Sequence, residues 1–133
     1  MFILLHSKQN IYTMKKAILI DTKNRSFREV TITDGDELKQ IYDHVDCELF
    51  QCVDIDDVNT IYVDEEGLYK QDKEFFTIKG YPEPLRGNGL VLGNDDETGE
   101  SMSTTLTLQE IKDSVKFYSL FDIQLKMRFG QFV

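Results

Sequence analysis

KAILIDTKNRSFREVTI, residues 16–32, decides the fold class. Two runs rich in aliphatic and β-branched side chains, 16–21 and 26–32, flank the polar tetrapeptide Thr22-Lys23-Asn24-Arg25, a connection of hairpin length. The reading is an antiparallel hairpin. Directly downstream, Asp34 is predicted to open a helix, with Glu37 as its capping-box partner and Leu38, Ile41, Tyr42 and Val45 at helical spacing. The apolar stripe is one-sided, so this helix is expected to lie on a sheet and leave Asp36, Lys39, Gln40 and Asp43 in water.

Beyond the helix the pattern changes to short β runs at 48–53, 60–63 and 75–78, divided by the acidic turns Asp54-Ile55-Asp56-Asp57 and Asp64-Glu65-Glu66-Gly67. A meander is the economical reading. Tyr81-Pro82-Glu83-Pro84 reads as an extended or turning link kept out of any central strand, because each proline lacks an amide hydrogen. Leu90-Val91-Leu92 is a short buried strand, and residues 94–99 after it form a turn. Thr107 and Glu110 make a second capping box, opening a brief helix that directs Leu108, Ile111 and Val115 inward. Residues 118–133 then alternate: Phe121, Ile123, Leu125, Met127 and Phe129 on one face, Asp122, Gln124, Lys126 and Arg128 on the other. They are predicted to form a half-buried terminal strand that closes the domain's own sheet or, as the alternative, pairs with a second copy of the chain.

The expected fold is α+β: a mainly antiparallel sheet of about six or seven short strands, one main helix packed across it and a second short helix near the C-terminus. A length of 133 residues fits one domain, and nine Phe and six Tyr within a hydrophobic fraction of 41% supply a core. Met14-Lys15-Lys16 ahead of an apolar strand reads as the more natural start. Residues 14–133 are therefore assigned to the domain and 1–13 to a dispensable extension or mis-assigned start.

Charge is distributed unevenly. Residues 34–74 hold fourteen acidic side chains against Lys39, Lys70 and Lys73, a net of −11 that exceeds the whole-chain −9. Such a face repels phosphate backbones and suits a basic protein partner, so direct nucleic-acid binding is not expected. Asp54, Asp56, Asp57, Asp64, Glu65 and Glu66 are the candidate interaction face, and the strand 121–129 is a candidate pairing surface for a homodimer. The run Phe2-Ile3-Leu4-Leu5 is too short for a signal peptide, no segment reads as membrane-spanning, and Cys47 and Cys52 are too few and wrongly spaced for a disulfide framework. A cytoplasmic setting is the expectation.

No residue set adds up to a catalytic or metal site, and no cofactor is expected. Gly87-Asn88-Gly89 with Gly93 lacks the spacing and following helix of a phosphate loop. Asn94, Asp96, Thr98 and Gly99 match part of a calcium loop, but Thr105 stands where its bidentate glutamate belongs. His44, Cys47 and Cys52 lack zinc-site spacing. Tyr62, Tyr69, Tyr81 and Arg86 are the residues to watch for a small-molecule cleft.

From Met14 to about Phe117 the layout resembles an uncharacterised domain family common in phages, prophages and bacteria with mobile elements. The resemblance rests on the opening hairpin, Leu38-x-x-Ile41-Tyr42-x-x-Val45, Cys47-Glu48-Leu49-Phe50, Ile61-Tyr62-Val63-Asp64-Glu65-Glu66-Gly67 and Gly87-x-Gly89-Leu90-Val91-Leu92-Gly93. Members of that family usually carry a glycine pair where this chain has Asp46-Cys47. The resemblance implies a mobile-element setting and supplies no activity. The functional expectation is a small, non-enzymatic accessory protein that binds another protein through its acidic face. The alternatives are a DNA mimic that inhibits a host nuclease or DNA-binding protein, and a small-molecule binder or enzyme with its site in a β cleft.

Overall fold

The computed structural model of the chain describes residues 14–130. The expectation for residues 1–13 lies outside them. The opening hairpin forms as read: β1 (Met14–Asp21) and β2 (Ser26–Thr33) pair in unbroken antiparallel register from Met14 opposite Thr33 to Asp21 opposite Ser26. The Asp21 carboxylate accepts from the Asn24 amide and side chain, which fixes the turn.

Helix α1 (Glu37–Val45) starts later than Asp34, and the expected capping box is absent. Glu37 is drawn instead into a cluster with Lys15 of β1 and Ser101, accepting hydrogen bonds from both. Ile41 and Val45 are buried, whereas Leu38 faces solvent. The helix closes at Asp46, whose left-handed conformation (φ 62°) directs its N–H back to the Tyr42 carbonyl. A glycine adopts that conformation without the Cβ penalty.

The remaining strands are β3 (Phe50–Asp54), β4 (Asn59–Asp64), β5 (Phe75–Ile78), β6 (Tyr81–Arg86), β7 (Gly89–Asn94), β8 (Ser101–Met102) and β9 (Val115–Tyr118). With β1 and β2 they build, among the described residues, two antiparallel sheets rather than one. The larger runs β2-β1-β7-β4-β3, with β8 added to the end of β7; the smaller runs β6-β5-β9. The Tyr-Pro-Glu-Pro segment is thus an edge strand, not a link, and prolines are tolerated there because one side of β6 needs no donors. Between β4 and β5 lies a single 3₁₀ turn, Gly67–Tyr69.

Helices α2 (Leu108–Ser114) and α3 (Leu120–Phe129) flank β9. The predicted capping box of α2 is present: Thr107 Oγ1 accepts from the Glu110 amide and the Glu110 carboxylate accepts from the Thr107 amide. Val115 starts β9 instead of extending this helix, yet it is buried as expected.

The terminal strand is a correction. Phe121, Ile123, Leu125, Met127 and Phe129 all lie on α3, opened by a Ser119/Asp122 capping box and closed by Gly130 at φ 65°. At about 100° per residue an alternating pattern spreads around the whole helix instead of collecting on one face. Only Ile123 is buried, and Phe121 and Phe129 are each 66% exposed.

The larger sheet buries side chains on both faces. Ala17 and Leu19 of β1 with Leu90 and Leu92 of β7 pack under α1, against Ile41 and Val45. Ile18, Ile20, Ile61, Val63 and Val91 point the other way, into a second core formed with Phe76, Ile78 and Leu85 of the smaller sheet and Ile111 of α2. The result, among the described residues, is an α+β fold with mostly antiparallel strands and three helices.

Candidate functional site

The six carboxylates of the candidate face do not form one cluster. In the β3–β4 hairpin Asp54 lies opposite Thr60, while Phe50 lies opposite Asp64. Asp54, Asp56 and Asp57 therefore crowd the turn at one end, and Asp64, Glu65 and Glu66 the other. At about 3.3 Å per residue the two ends are roughly 15 Å apart.

Three of the six are engaged in holding the fold. Asp56 caps its own turn, with Oδ1 accepting from the amides of Val58 and Asn59 and both oxygens accepting from Asn59 Nδ2. Burial alone would raise its pKa, but these donors outweigh it and hold the carboxyl below the ordinary aspartate value. Asp54 accepts from Thr60 Oγ1 across the ladder. Asp64 is 7% exposed, accepts from the Glu66 amide and sits 2.6 Å from Lys70 Nζ. Asp57, Glu65 and Glu66 remain exposed, together with Glu48.

What joins the two ends is β3 itself. It pairs with β4 on one side only, and no described strand lies beyond it. The Ile55 amide donates to the Asn59 carbonyl, and the Glu65 amide donates to the Leu49 carbonyl. Antiparallel alternation then turns the amides and carbonyls of Phe50, Cys52 and Asp54 outward. Residues 47–69 contain seven carboxylates and no lysine or arginine. The site is an open strand edge with an acidic group at each end, and reading the turns as one face missed it.

The suspected aromatic cleft is dispersed. Tyr62 is partly buried beside α1, with its ring 5.1 Å from that of Phe50, and burial pushes its hydroxyl up to about 12. Tyr69 is exposed on the 3₁₀ turn. Arg86 is buried: Nε donates to the Lys73 carbonyl at 2.8 Å, Nη1 donates to the Leu68 carbonyl at 3.1 Å, and the guanidinium lies 4.6 Å over the Phe75 ring. It pins the 3₁₀ turn to β6. Tyr81 alone of the four lines the cleft bounded by β9, the β5–β6 turn and α3, and its ring also packs against the core between the sheets.

Cys47 and Cys52 are free thiols, and burial pushes Cys47 up to about 11. Residues 94–99, the partial calcium loop, form the β7–β8 connection, in which Asp95 accepts from the Glu97 amide. Among the described residues no group of three or more His, Cys, Asp or Glu side chains is disposed to hold a metal. No described helix is long and apolar enough to cross a membrane.

Residues 14–117, from β1 into β9, match the profile of a domain of unknown function, DUF3846. The chain belongs to this family. Relatives include the uncharacterized protein y4iR of Sinorhizobium fredii (strain NBRC 101917 / NGR234), 31% identical over 94 residues, which is 71% of this chain and 58% of the relative. Protein PsiB of Rhizobium leguminosarum bv. phaseoli is 33% identical over 84 residues, 62% of this chain and 63% of the relative. The aligned region thus spans less than two thirds of either relative. No solved structure matches the chain. The family match includes the β3 edge but ends before α3, so the exposed apolar side chains of that helix lie outside it.

Proposed function

We propose that the protein is a non-enzymatic binding module that takes an extended, basic segment of another protein along β3. The observation that carries this reading is the outward-facing backbone of Phe50, Cys52 and Asp54, set between two acidic ends. Main-chain pairing would supply affinity, and cations at each end of the docked segment would fix its position. A second β3 is a poor occupant, because antiparallel pairing would bring the two acidic ends of each copy together. The acidic ends would also speed encounter with a basic partner and make the affinity salt-sensitive.

The test is calorimetry with an eight-residue peptide carrying lysine at both ends and alternating Val and Thr between them. Binding is expected to weaken about tenfold when salt rises several-fold above physiological ionic strength. Cys52→Pro removes an outward amide without touching the β4 ladder and is expected to abolish binding while circular dichroism stays unchanged. Peptide binding equal in wild type and a folded Cys52→Pro variant would overturn the proposal, as would no binding to wild type at all. Asp57→Asn with Glu65→Gln and Glu66→Gln is expected to remove most of the salt dependence.

A second reading concerns α3. Phe121, Leu125 and Phe129 follow one another at intervals of four, a line along one side of the helix that faces solvent. Antiparallel pairing of two copies about Leu125 would set Phe121 against Phe129 and bring Asp122 toward Lys126 of the copy, a self-complementary contact. Light scattering at rising concentration tests it. A dimer that Phe121→Glu converts to a monomer is the expected result, and a wild-type monomer throughout rejects it.

A further inference from the structure

We propose that the partner segment carries one large apolar side chain just beyond the end docked at Asp54, and that this side chain enters the hollow between the β3–β4 turn, the β5–β6 turn and α2. The inference rests on the proposed docking of a basic segment along β3. The hollow begins one residue past Asp54, at Ile55, and has a volume of about 290 Å³. Small-molecule pockets run from about 300 to 1,000 Å³, so this one suits a single side chain better than a whole metabolite. Ile78 and Ile111, both buried, and Ile55 and Leu106, both half-buried, supply its apolar walls. Two contacts hold those walls in place. Gly80 (φ 100°) lies so close over Ile55 that a Cβ there would collide with the Ile55 carbonyl, and the Lys79 amide ties the same turn to α2 by donating to the Ser114 carbonyl at 2.9 Å.

The carboxylate and the hydroxyl in the lining are committed to the chain itself. Asp56 accepts from the Val58 and Asn59 amides, and Ser114 Oγ donates to the Glu110 carbonyl at 2.7 Å. A polar side chain entering the hollow gives up water for little return, whereas an apolar one gains by burial. Lys79, exposed in the lining, disfavours a lysine or arginine as the inserted residue. The cation of the docked segment is drawn instead to the exposed Asp54 and Asp57, which flank Ile55 and Asp56. Charge thus sets an order along the partner: a basic residue at the Asp54 end and an apolar residue immediately past it. A second copy of β3 cannot supply that order, because residues 47–69 hold no lysine or arginine. Main-chain pairing along an edge is indifferent to sequence, and a side-chain pocket at its end makes it selective.

The probes are the lysine-flanked Val/Thr peptide with blocked ends and four derivatives of it, lengthened at one end or the other by a glycine and an outermost leucine or asparagine. Each is titrated into the full chain and followed by calorimetry and methyl NMR spectra. Leucine at the end that falls past Asp54 is expected to tighten binding about tenfold. The two leucine peptides are expected to differ, because only one end reaches the hollow, and both asparagine peptides should match the plain one. The tighter peptide is expected to shift the methyl signals of Ile55, Leu106 and Ile111. Ser114→Leu, which fills the hollow, is expected to remove the gain and leave the plain peptide unaffected. Equal affinity of leucine and asparagine peptides, or a gain without those methyl shifts, overturns the anchor and leaves docking along β3 standing. No binding of any peptide overturns both. Leucine-dependent binding that persists in Cys52→Pro overturns the coupling of hollow and edge. The wild-type peptide series and methyl map decide the matter if Ser114→Leu does not fold.

Discussion

Thr104 Oγ1 donates a 2.6 Å hydrogen bond to Asn59 Oδ1, and both residues are buried. The same oxygen accepts from the Thr105 amide, while Asn59 Nδ2 donates to Asp56 and to Thr105 Oγ1. One side chain therefore ties the start of β4 to its own turn and to the segment leading into α2. Asn59→Ala leaves several of these groups without partners, and at about 0.5–1.5 kcal/mol per bond it should cost roughly 2–4 kcal/mol, read from the urea midpoint. Thr105→Val, which removes only one partner, should cost clearly less.

The Glu37 cluster predicts an acid limb. Burial alone would raise the Glu37 pKa, but hydrogen bonds from Lys15 and Ser101 and the Lys15 charge outweigh it and hold the carboxyl below the ordinary glutamate value. A depressed carboxylate pKa stabilises the fold above the unfolded value, and that contribution is lost as pH falls through the folded value. The stability difference between wild type and Glu37→Gln should be full at neutral pH, shrink as pH drops below about 4.3 and vanish below the folded pKa. Urea titrations of both proteins across that range check it.

At Asp46 two effects oppose each other. Its left-handed φ favours glycine, whereas its carboxylate sits 2.6 Å from Lys73 Nζ on the surface. An exposed pair contributes at most about 1 kcal/mol, similar to the relief a glycine gives. Asp46→Gly should change stability by less than about 1 kcal/mol, and Asp46→Ala, which loses the pair and keeps the strain, should be the less stable of the two in thermal melts.

Gly89 is a packing glycine. A Cβ there would meet Ile61 Cδ1 at 2.7 Å and Phe76 Cζ at 2.9 Å, both in the core between the sheets. Gly89→Ala should destabilise by about 1–3 kcal/mol through overpacking. Gly99→Ala, with open space but φ 74°, should cost only the smaller backbone penalty of about 1 kcal/mol.

Local signals were legible in the sequence and long-range ones were not. The β1–β2 hairpin and the Thr107/Glu110 box depend on neighbours within a few residues, and both stand as read. Glu37 has the spacing of a cap, and the sequence cannot show that Lys15 and Ser101 converge on it. The division into two sheets rests on β5 pairing with β9 instead of β4, again a choice between distant partners. The tail carries two conflicting local signals. Ser119-x-x-Asp122 and Gly130 bracket a helix in the same way as Thr107-x-x-Glu110 opens one. The apolar alternation masked them, and it also leaves α3 with exposed phenylalanines.

The position of β7 governs the order in which the molecule can be made. The β1–β2 and β3–β4 hairpins are each local in sequence, but in the larger sheet they meet only through β7, which enters between β1 and β4 after both have been synthesised. Leu90 and Leu92 belong to one core and Val91 to the other, so neither core is finished before that strand arrives. A nascent chain stopped short of Gly89 is a pair of disconnected ribbons with bare strand edges, and folding awaits a late, nonlocal closure. Loss of β7 dissolves both cores together, which makes the domain open as one cooperative unit.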